Sequence, residues 1–403
     1  MQLNFIAFAV PLFLFFMGME YFMARRQKKS IHRFNESIAN LNVGIAERLT
    51  DLLTTGSFFF LYSWLNTHFS FFKIQATPLT WFLLFLATDL VWYWYHRLAH
   101  EVNLFWGVHV VHHQSEDFNY TVSGRITLLQ ALVRGSFWAI LPIIGFPAHM
   151  IAILLLIHGA YPFFTHTQMI GKLGWLEYVF VTPSHHRVHH SCNPQYLDKN
   201  YGDVLIIWDK LFGTFKKEEE TPEYGLTKPL GSYSFLWQHF HFLLELGVAF
   251  KRAKSIRQKL KVLFGRPDDI DPRIRASLER KLSFRNQQQT LNRNLRRFIR
   301  VQTLLTLAML FLVILFSHYL LPRQLVFFAL FILLSLVNTG AMLEQRSWVF
   351  SIDYVRLGLL GIIIHSFYPG IMFTTLFCMG MLMILVFYKT LNTYYSRVFY
   401  NYS

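Results

Sequence analysis

Apolar runs about 20 residues long limit what this chain can fold into. Residues 3–24 (LNFIAFAVPLFLFFMGMEYFMA) contain one charged residue, Glu20, and comparable runs lie at about 51–71, 79–95, 127–145, 147–166, 301–321, 324–342, 348–367 and 370–388. About 20 apolar residues in a helix cross a hydrocarbon core roughly 30 Å thick, where the backbone must satisfy its own hydrogen bonds. The expected fold is therefore all-α, a polytopic integral membrane helical bundle. With 53% hydrophobic and only 15% charged residues, the chain lies outside the ordinary soluble range.

The formal net charge of +15 could point to nucleic acid. The basic residues, however, stand between the apolar runs, as in loops beside an anionic leaflet, so no nucleic-acid partner is expected. Arg25, Arg26, Lys28, Lys29 and Arg33 follow the first run and should hold its end in the cytosol. That run has no basic residue ahead of it and no small-residue cleavage site, so it reads as a retained helix. Residues 34–50 are polar and are expected at the surface. Counting spans then brings His96 and His100 to the cytosolic boundary. A hairpin turning at Gly145-Phe146-Pro147 returns His166 and the residues after it to the same side. Three regions are expected: residues 1–250 as a membrane-embedded catalytic core, 251–300 as a basic cytosolic linker on anionic headgroups, and 301–403 as a four-span membrane module. The host membrane would be a bacterial inner membrane or the endoplasmic reticulum. Cys192 and Cys378 form neither a disulfide framework nor a CxxC motif.

Between His96 and His190 lie 12 of the 18 histidines. His96 and His100 form HxxxH, His109, His112 and His113 form HxxHH, and His186, His189 and His190 form HxxHH again. Residues three and four apart share a helix face, so each box can aim two or three imidazoles at one point. Eight such ligands exceed the four that close a zinc site, and a pair of metals is the simpler fit. Imidazole suits iron, copper, nickel and zinc alike. A neutral histidine cluster at a membrane surface argues for redox chemistry on lipid. Cleaving a strong C–H bond needs a metal and oxygen, since amino-acid side chains hold no suitable reagent.

The boxes, in this order between paired spans, resemble the fatty acid hydroxylase and sterol desaturase superfamily of di-iron membrane enzymes. The residues around them are closer still to its alkylglycerol monooxygenase branch. The similar stretches are Tyr95 to Asn103, His112 to Asn119, Thr182 to His190, Asp198 to Gly202 and Ile207 to Phe215, with an echo at Tyr224 to Thr227. The resemblance covers about residues 30–230, and beyond 250 it rests on the arrangement of spans. It implies a di-iron, O2-dependent lipid monooxygenase that hydroxylates the alkyl carbon beside the ether oxygen of an alkylglycerol, with tetrahydrobiopterin as reductant. Carried onto this chain, it gives His96, His100, His109, His112, His113, His186, His189 and His190 as iron ligands. The returning helix of the hairpin adds His166 and His158, although Pro162 between them departs from a compact HxxxH. With no fused haem signature and no pterin motif, electrons must come from an external donor.

Other polar residues are expected to support the ligands. Asp89, about two turns before His96, and Asp203 could each orient an imidazole, though Asp203 could equally cap a helix. His185 should face roughly 100° away from its box, behind the ligands or at the surface. Trp92, Tyr93, Trp94, Tyr95 and Trp106 read as an interfacial aromatic belt. Asp353 and Arg356, three apart, read as an ion pair. Two other functions stay open. A sterol, carotenoid or fatty acid hydroxylase or desaturase would carry the same boxes, whereas a membrane metal transporter would spread its histidines through the membrane depth.

Overall fold

The computed structural model describes residues 3–282 and 290–400. Among them the regular elements are helices, and extended pairing is limited to isolated bridges between Phe180 and Leu205 and between Ser191 and Tyr224. The first half of the chain contains α1 (Ala9–Arg26), α2 (Phe34–Phe69), α3 (Pro78–Glu101), α4 (Asn103–His109), α5 (Tyr120–Ser123), α6 (Gln130–Trp138), α7 (Ile140–Ile144), α8 (Ala148–Thr165), α9 (Pro183–His189) and α10 (Ile207–Leu211). The second half contains α11 (Phe235–Arg252), α12 (Ile256–Phe264), α13 (Arg273–Lys281), α14 (Arg293–Leu315), α15 (Pro322–Leu343), α16 (Val349–Phe367), α17 (Ile371–Val386) and α18 (Tyr388–Tyr400).

Five helical segments are long and apolar enough to cross a membrane: Phe5–Arg26, α8, α14, α15 and α16, with the bent pair α17–α18 as a sixth if taken as one span. The chain is a multi-pass membrane protein. Three expected spans, 51–71, 79–95 and 127–145, are not among these. In the run at 51–71, Thr54, Thr55, Ser57, Ser63, Asn66 and Thr67 lower the apolarity, and α3 mixes Asp89, His96 and Arg97 with tryptophans and tyrosines. Both helices still expose large apolar side chains, Phe60 on α2 and Phe82 on α3 among them.

Residues 34–50 are not a surface segment. They are the first half of α2, whose 36 residues extend about 54 Å at 1.5 Å per residue, beyond any hydrocarbon core. Asn40, Asn42 and Glu47 are buried there. Helix α3 likewise does not stop before His96. It starts with a Thr77–Thr80 capping box and Pro78 in its first turn, and runs through both histidines of the first box. The expected hairpin strand 127–145 is broken into α6 and α7. It turns at Gly145, whose φ is +131° and where a Cβ would lie 2.1 Å from the Phe72 carbonyl oxygen.

Apolar packing joins the front and back of the chain. Ile45, Ala46 and Leu49 of α2 share a core with Leu307 and Leu310 of α14 and Ile332 and Leu336 of α15. The junction expected near residue 300 therefore lies within α14, against α2. Of the expected linker, 256–264 and 273–281 are helical, and 283–289 lie outside the described residues. The last run, expected as one span, bends by 76° between α17 and α18. Helix α18 folds back so that Phe399 packs on Phe298 at 4.9 Å.

Candidate metal centre

Four pieces of chain bring the histidines together: the end of α3, α4 with the 3-10 turn Val110–His113, the end of α8, and α9. Their ligand atoms form two groups, each with all its atoms within 4.8 Å of one another. One group is His96, His100, His109, His113 and His189. The other is His112, His166, His186 and His190. All nine are buried except His100, which is half-buried.

Where a carbonyl behind the ring fixes the tautomer, the facing nitrogen has no proton to share. His112 donates from Nδ1 to the Arg125 carbonyl (3.2 Å) and His166 from Nδ1 to the Pro162 carbonyl (2.5 Å), which leaves a bare lone pair on each Nε2. Those two Nε2 atoms are 3.3 Å apart, and the His190 and His186 Nε2 atoms lie 3.1 and 3.0 Å from that of His166. In the other group, His109 Nε2 is 3.1 Å from His96 Nε2 and 3.2 Å from His113 Nε2. Lone pairs this close repel unless a cation lies between them. Nitrogens bound to one metal at about 2.1 Å and at right angles stand about 3.0 Å apart, so the residues fit a metal in each group. Burial pushes His109, His112, His113, His186, His189 and His190 well below the ordinary imidazole range, with the neighbouring imidazoles adding to the shift. They are held in the neutral form that binds metal.

Backbone carbonyls set the ring orientations, and buried polar side chains set the carbonyls. His96 Nδ1 donates to Tyr201 O (2.9 Å) and His189 Nδ1 to Lys199 O (3.0 Å). The Tyr201 turn is fixed by Asp209, which accepts from Tyr201 N, Gly202 N and the Thr214 hydroxyl at 2.7 to 2.8 Å. Arg125, whose carbonyl receives His112, donates to Val111 O, Asn40 Oδ1 and Gln114 Oε1. Arg187 grips Glu218 with two nitrogens and donates to Thr167 O and Ile170 O, which locks α9 to the chain after His166. None of these supports was expected from the sequence.

His158 stands outside both imidazole groups. Its Nδ1 lies 2.6 Å from Asp203 and 3.7 Å from Asp89, the three forming a separate buried set in α8, α3 and the 203 loop. Asp89 also accepts from Val204 N, Leu205 N and Trp208 Nε1, so it anchors that loop on α3. His185 is buried rather than at the surface. Its Nδ1 accepts from Thr182 N, closing the capping box of α9, because the helix start needs an acceptor there. Of the expected aromatic belt, Tyr93 and Tyr95 are interior, while Trp94 is exposed.

The sequence comparisons agree with this geometry. Residues 81–214, which span all three boxes, match the fatty acid hydroxylase family. Alkylglycerol monooxygenase from Homo sapiens is 33% identical over 353 residues, 85% of this chain and 78% of the relative, and that from Danio rerio is 32% identical over 83% and 76%. This chain belongs to the alkylglycerol monooxygenase family. An ornithine lipid hydroxylase from Rhizobium tropici is 33% identical over 30% of this chain and 38% of its own. No solved structure matches. Family membership makes the chain a lipid-acting oxidoreductase.

Two cavities reach the histidines of this alkylglycerol monooxygenase relative, and they touch different rings. A cavity of about 470 Å³ is walled by apolar residues of α1, α8 and α14, such as Val10, Phe13, Leu155 and Leu307, and ends on His96, His109, His112, His166 and His186. Arg48 and Asp51 of α2, 3.3 Å apart, give one wall a polar patch. A smaller cavity of about 140 Å³ ends on His100, His113, His189 and His190.

Proposed function

We propose that this protein is a di-iron, O2-dependent monooxygenase that hydroxylates the alkyl carbon beside the ether oxygen of an alkylglycerol. The observation that carries the reading is a pair of lone-pair-facing imidazole groups at the end of an apolar-walled cavity. His96, His100, His109, His113 and His189 would hold one iron, and His112, His166, His186 and His190 the other. The bound pair would supply oxygen activation and C–H cleavage. The chain's own residues do the rest. The walls of α1, α8 and α14 take the alkyl chain and exclude water, and Arg48 and Asp51 suit a substrate with a polar end. Asp209 and Arg125 hold ligand rings in place through the backbone, while Asp203 and Asp89 hold His158 beside them. Hydroxylation at the ether carbon gives a hemiacetal, which separates into an aldehyde and a glycerol compound. Tetrahydrobiopterin is the proposed reductant. The basic residues after α1 favour a site on the cytosolic face.

A second reading, hydroxylation of an acyl-type membrane lipid, is favoured by the match to the ornithine lipid hydroxylase. One experiment separates the two. The iron-loaded protein in nanodiscs is given alkylglycerol, sterol or acyl lipid with tetrahydrobiopterin, and oxygen uptake and aldehyde release are followed. Aldehyde released with the ether lipid supports the first reading. Turnover of acyl lipid alone, without aldehyde, replaces it with the second.

A further inference from the structure

Several polar groups that line the large cavity find their partners within the protein. Asn40 donates to Thr121 and accepts from Arg125, Thr165 donates to the Pro162 carbonyl, and Arg48 and Asp51 answer each other at 3.3 Å. Tyr95 of α3, Arg134 of α6 and Asp203 line the same cavity and are not matched in this way. The Tyr95 hydroxyl and Asp203 Oδ1 are buried, their residues 1% and 4% exposed, and neither bonds to any described residue. Arg134 is half-buried over the Trp92 ring at 5.9 Å, and among the described residues it has neither an ion-pair nor a hydrogen-bond partner. Its charge is felt at both Tyr95 and Asp203, so the three form one patch. Unmatched buried polar groups weaken a fold, and a patch of them on a cavity wall points to a ligand that completes it.

We propose that Tyr95, Arg134 and Asp203 seat the diol head of an alkylglycerol, an inference that rests on the function proposed above. The donor pattern suits a diol. Asp203 Oδ1 accepts only, Arg134 donates only and the phenol does both, while each alcohol hydroxyl both donates and accepts. A bare alkyl chain would leave the whole patch unmatched. The separate Asp89–His158–Asp203 set gains a task here. His158 Nδ1 lies 2.6 Å from Asp203 Oδ2 and holds the carboxylate, which leaves Oδ1 for the cavity. Tyr95 precedes His96 in α3, and Asp203 follows closely on Tyr201, whose carbonyl receives the His96 ring, so the seat stands beside that imidazole group. A lipid held there by its head presents the carbon one oxygen away from the glycerol to the rings, whatever the length of its chain. The chain then runs between α1, α8 and α14. The site of oxidation is thus measured from the head of the lipid and not from its methyl end.

The test is anaerobic binding of a radiolabelled short-chain alkylglycerol to the iron-loaded, full-length protein in nanodiscs, counted against empty nanodiscs. The same ether with both hydroxyls methylated is the control. Tyr95→Phe removes an unmatched oxygen and keeps the ring. The expected result is diol binding about tenfold weaker, with binding of the methylated ether and iron content unchanged and a melting midpoint no lower than that of the wild type. A tyrosine with a structural role alone would lower the midpoint and weaken both lipids alike, which overturns the seat. Arg134→Met should show the same selective loss. Wild-type diol affinity in both variants, or a methylated ether that binds the wild type as tightly as the diol, also overturns it. The parent reading fails separately. If the diol binds in this pattern but no aldehyde forms once oxygen and reductant are admitted, the seat stands and the monooxygenase reading falls.

Discussion

In the C-terminal helices, Arg356 donates to Asp353 at 2.6 Å, to Gln302 at 2.9 Å and to Ser335 at 3.0 Å, while Asp353 also receives Asn338 and Tyr395. In the histidine centre, nine rings meet across gaps of similar length, but the facing atoms are acceptors. Both regions bury polar groups within a helical bundle. The first is closed around its charges, since Arg356 and Asp353 both find opposite partners within the cluster. The second is open, because His96, His112, His166 and His189 each spend a proton on a backbone carbonyl behind the ring and turn a lone pair inward. A buried polar cluster is therefore a candidate site when its donors and acceptors fail to match, and a structural cluster when they do.

Removing one inward ring should give the largest effect. His186→Ala leaves three rings in its group, and the expected outcome is loss of that group's metal and of turnover, read by metal content and aldehyde release. Retained metal and activity would break the comparison. Opening the closed cluster should cost stability and not metal. Arg356→Ala leaves Asp353 only Asn338 and Tyr395 as donors and should lower unfolding free energy by about 1–3 kcal/mol, with the iron content of the folded fraction unchanged. Chemical denaturation in detergent measures it. A positioning change should fall between structure and chemistry. Asp209→Asn weakens the turn that orients His96 and is expected to lower metal affinity roughly 10–100-fold, checked by competition with a chelator. The smallest and most graded effect is that of pH. His186, His189 and His190 are held well below 6.5 by burial, so the folded metal-free protein keeps them neutral while the unfolded chain protonates them. Their stabilising contribution is complete above about pH 6.5 and is lost as the pH falls below it. Melting midpoints of the metal-free protein at about pH 7.5 and 5.5 should drop on acidification, and a flat or rising midpoint would count against neutral inward rings.

What could be read from the sequence follows the reach of periodic patterns. The three boxes sit at helical spacing, so their shared faces are visible in one dimension, and the apolar runs announce membrane helices in the same way. Arg125, Asp209 and the Arg187–Glu218 pair carry no such period. They act through loop carbonyls and across gaps of many residues, and only the folded chain brings them beside the rings. His158 shows where the pattern stops short. Its place in the returning helix suggested a ligand beside His166, and the fold puts it instead with Asp203, 45 positions later, whose carboxylate lies 2.6 Å from its Nδ1. The polar first half of α2 read as surface because polarity alone cannot distinguish solvent from the interior of a polar site.

The most direct measurement is metal content and type in protein purified with its membrane intact in nanodiscs, alongside His112→Ala and His189→Ala, which each strike one group. The expected result is one iron for each of the two imidazole groups in the wild type, with each variant impaired in its own group. A single zinc ion, or iron that survives both substitutions, would contradict the central claim.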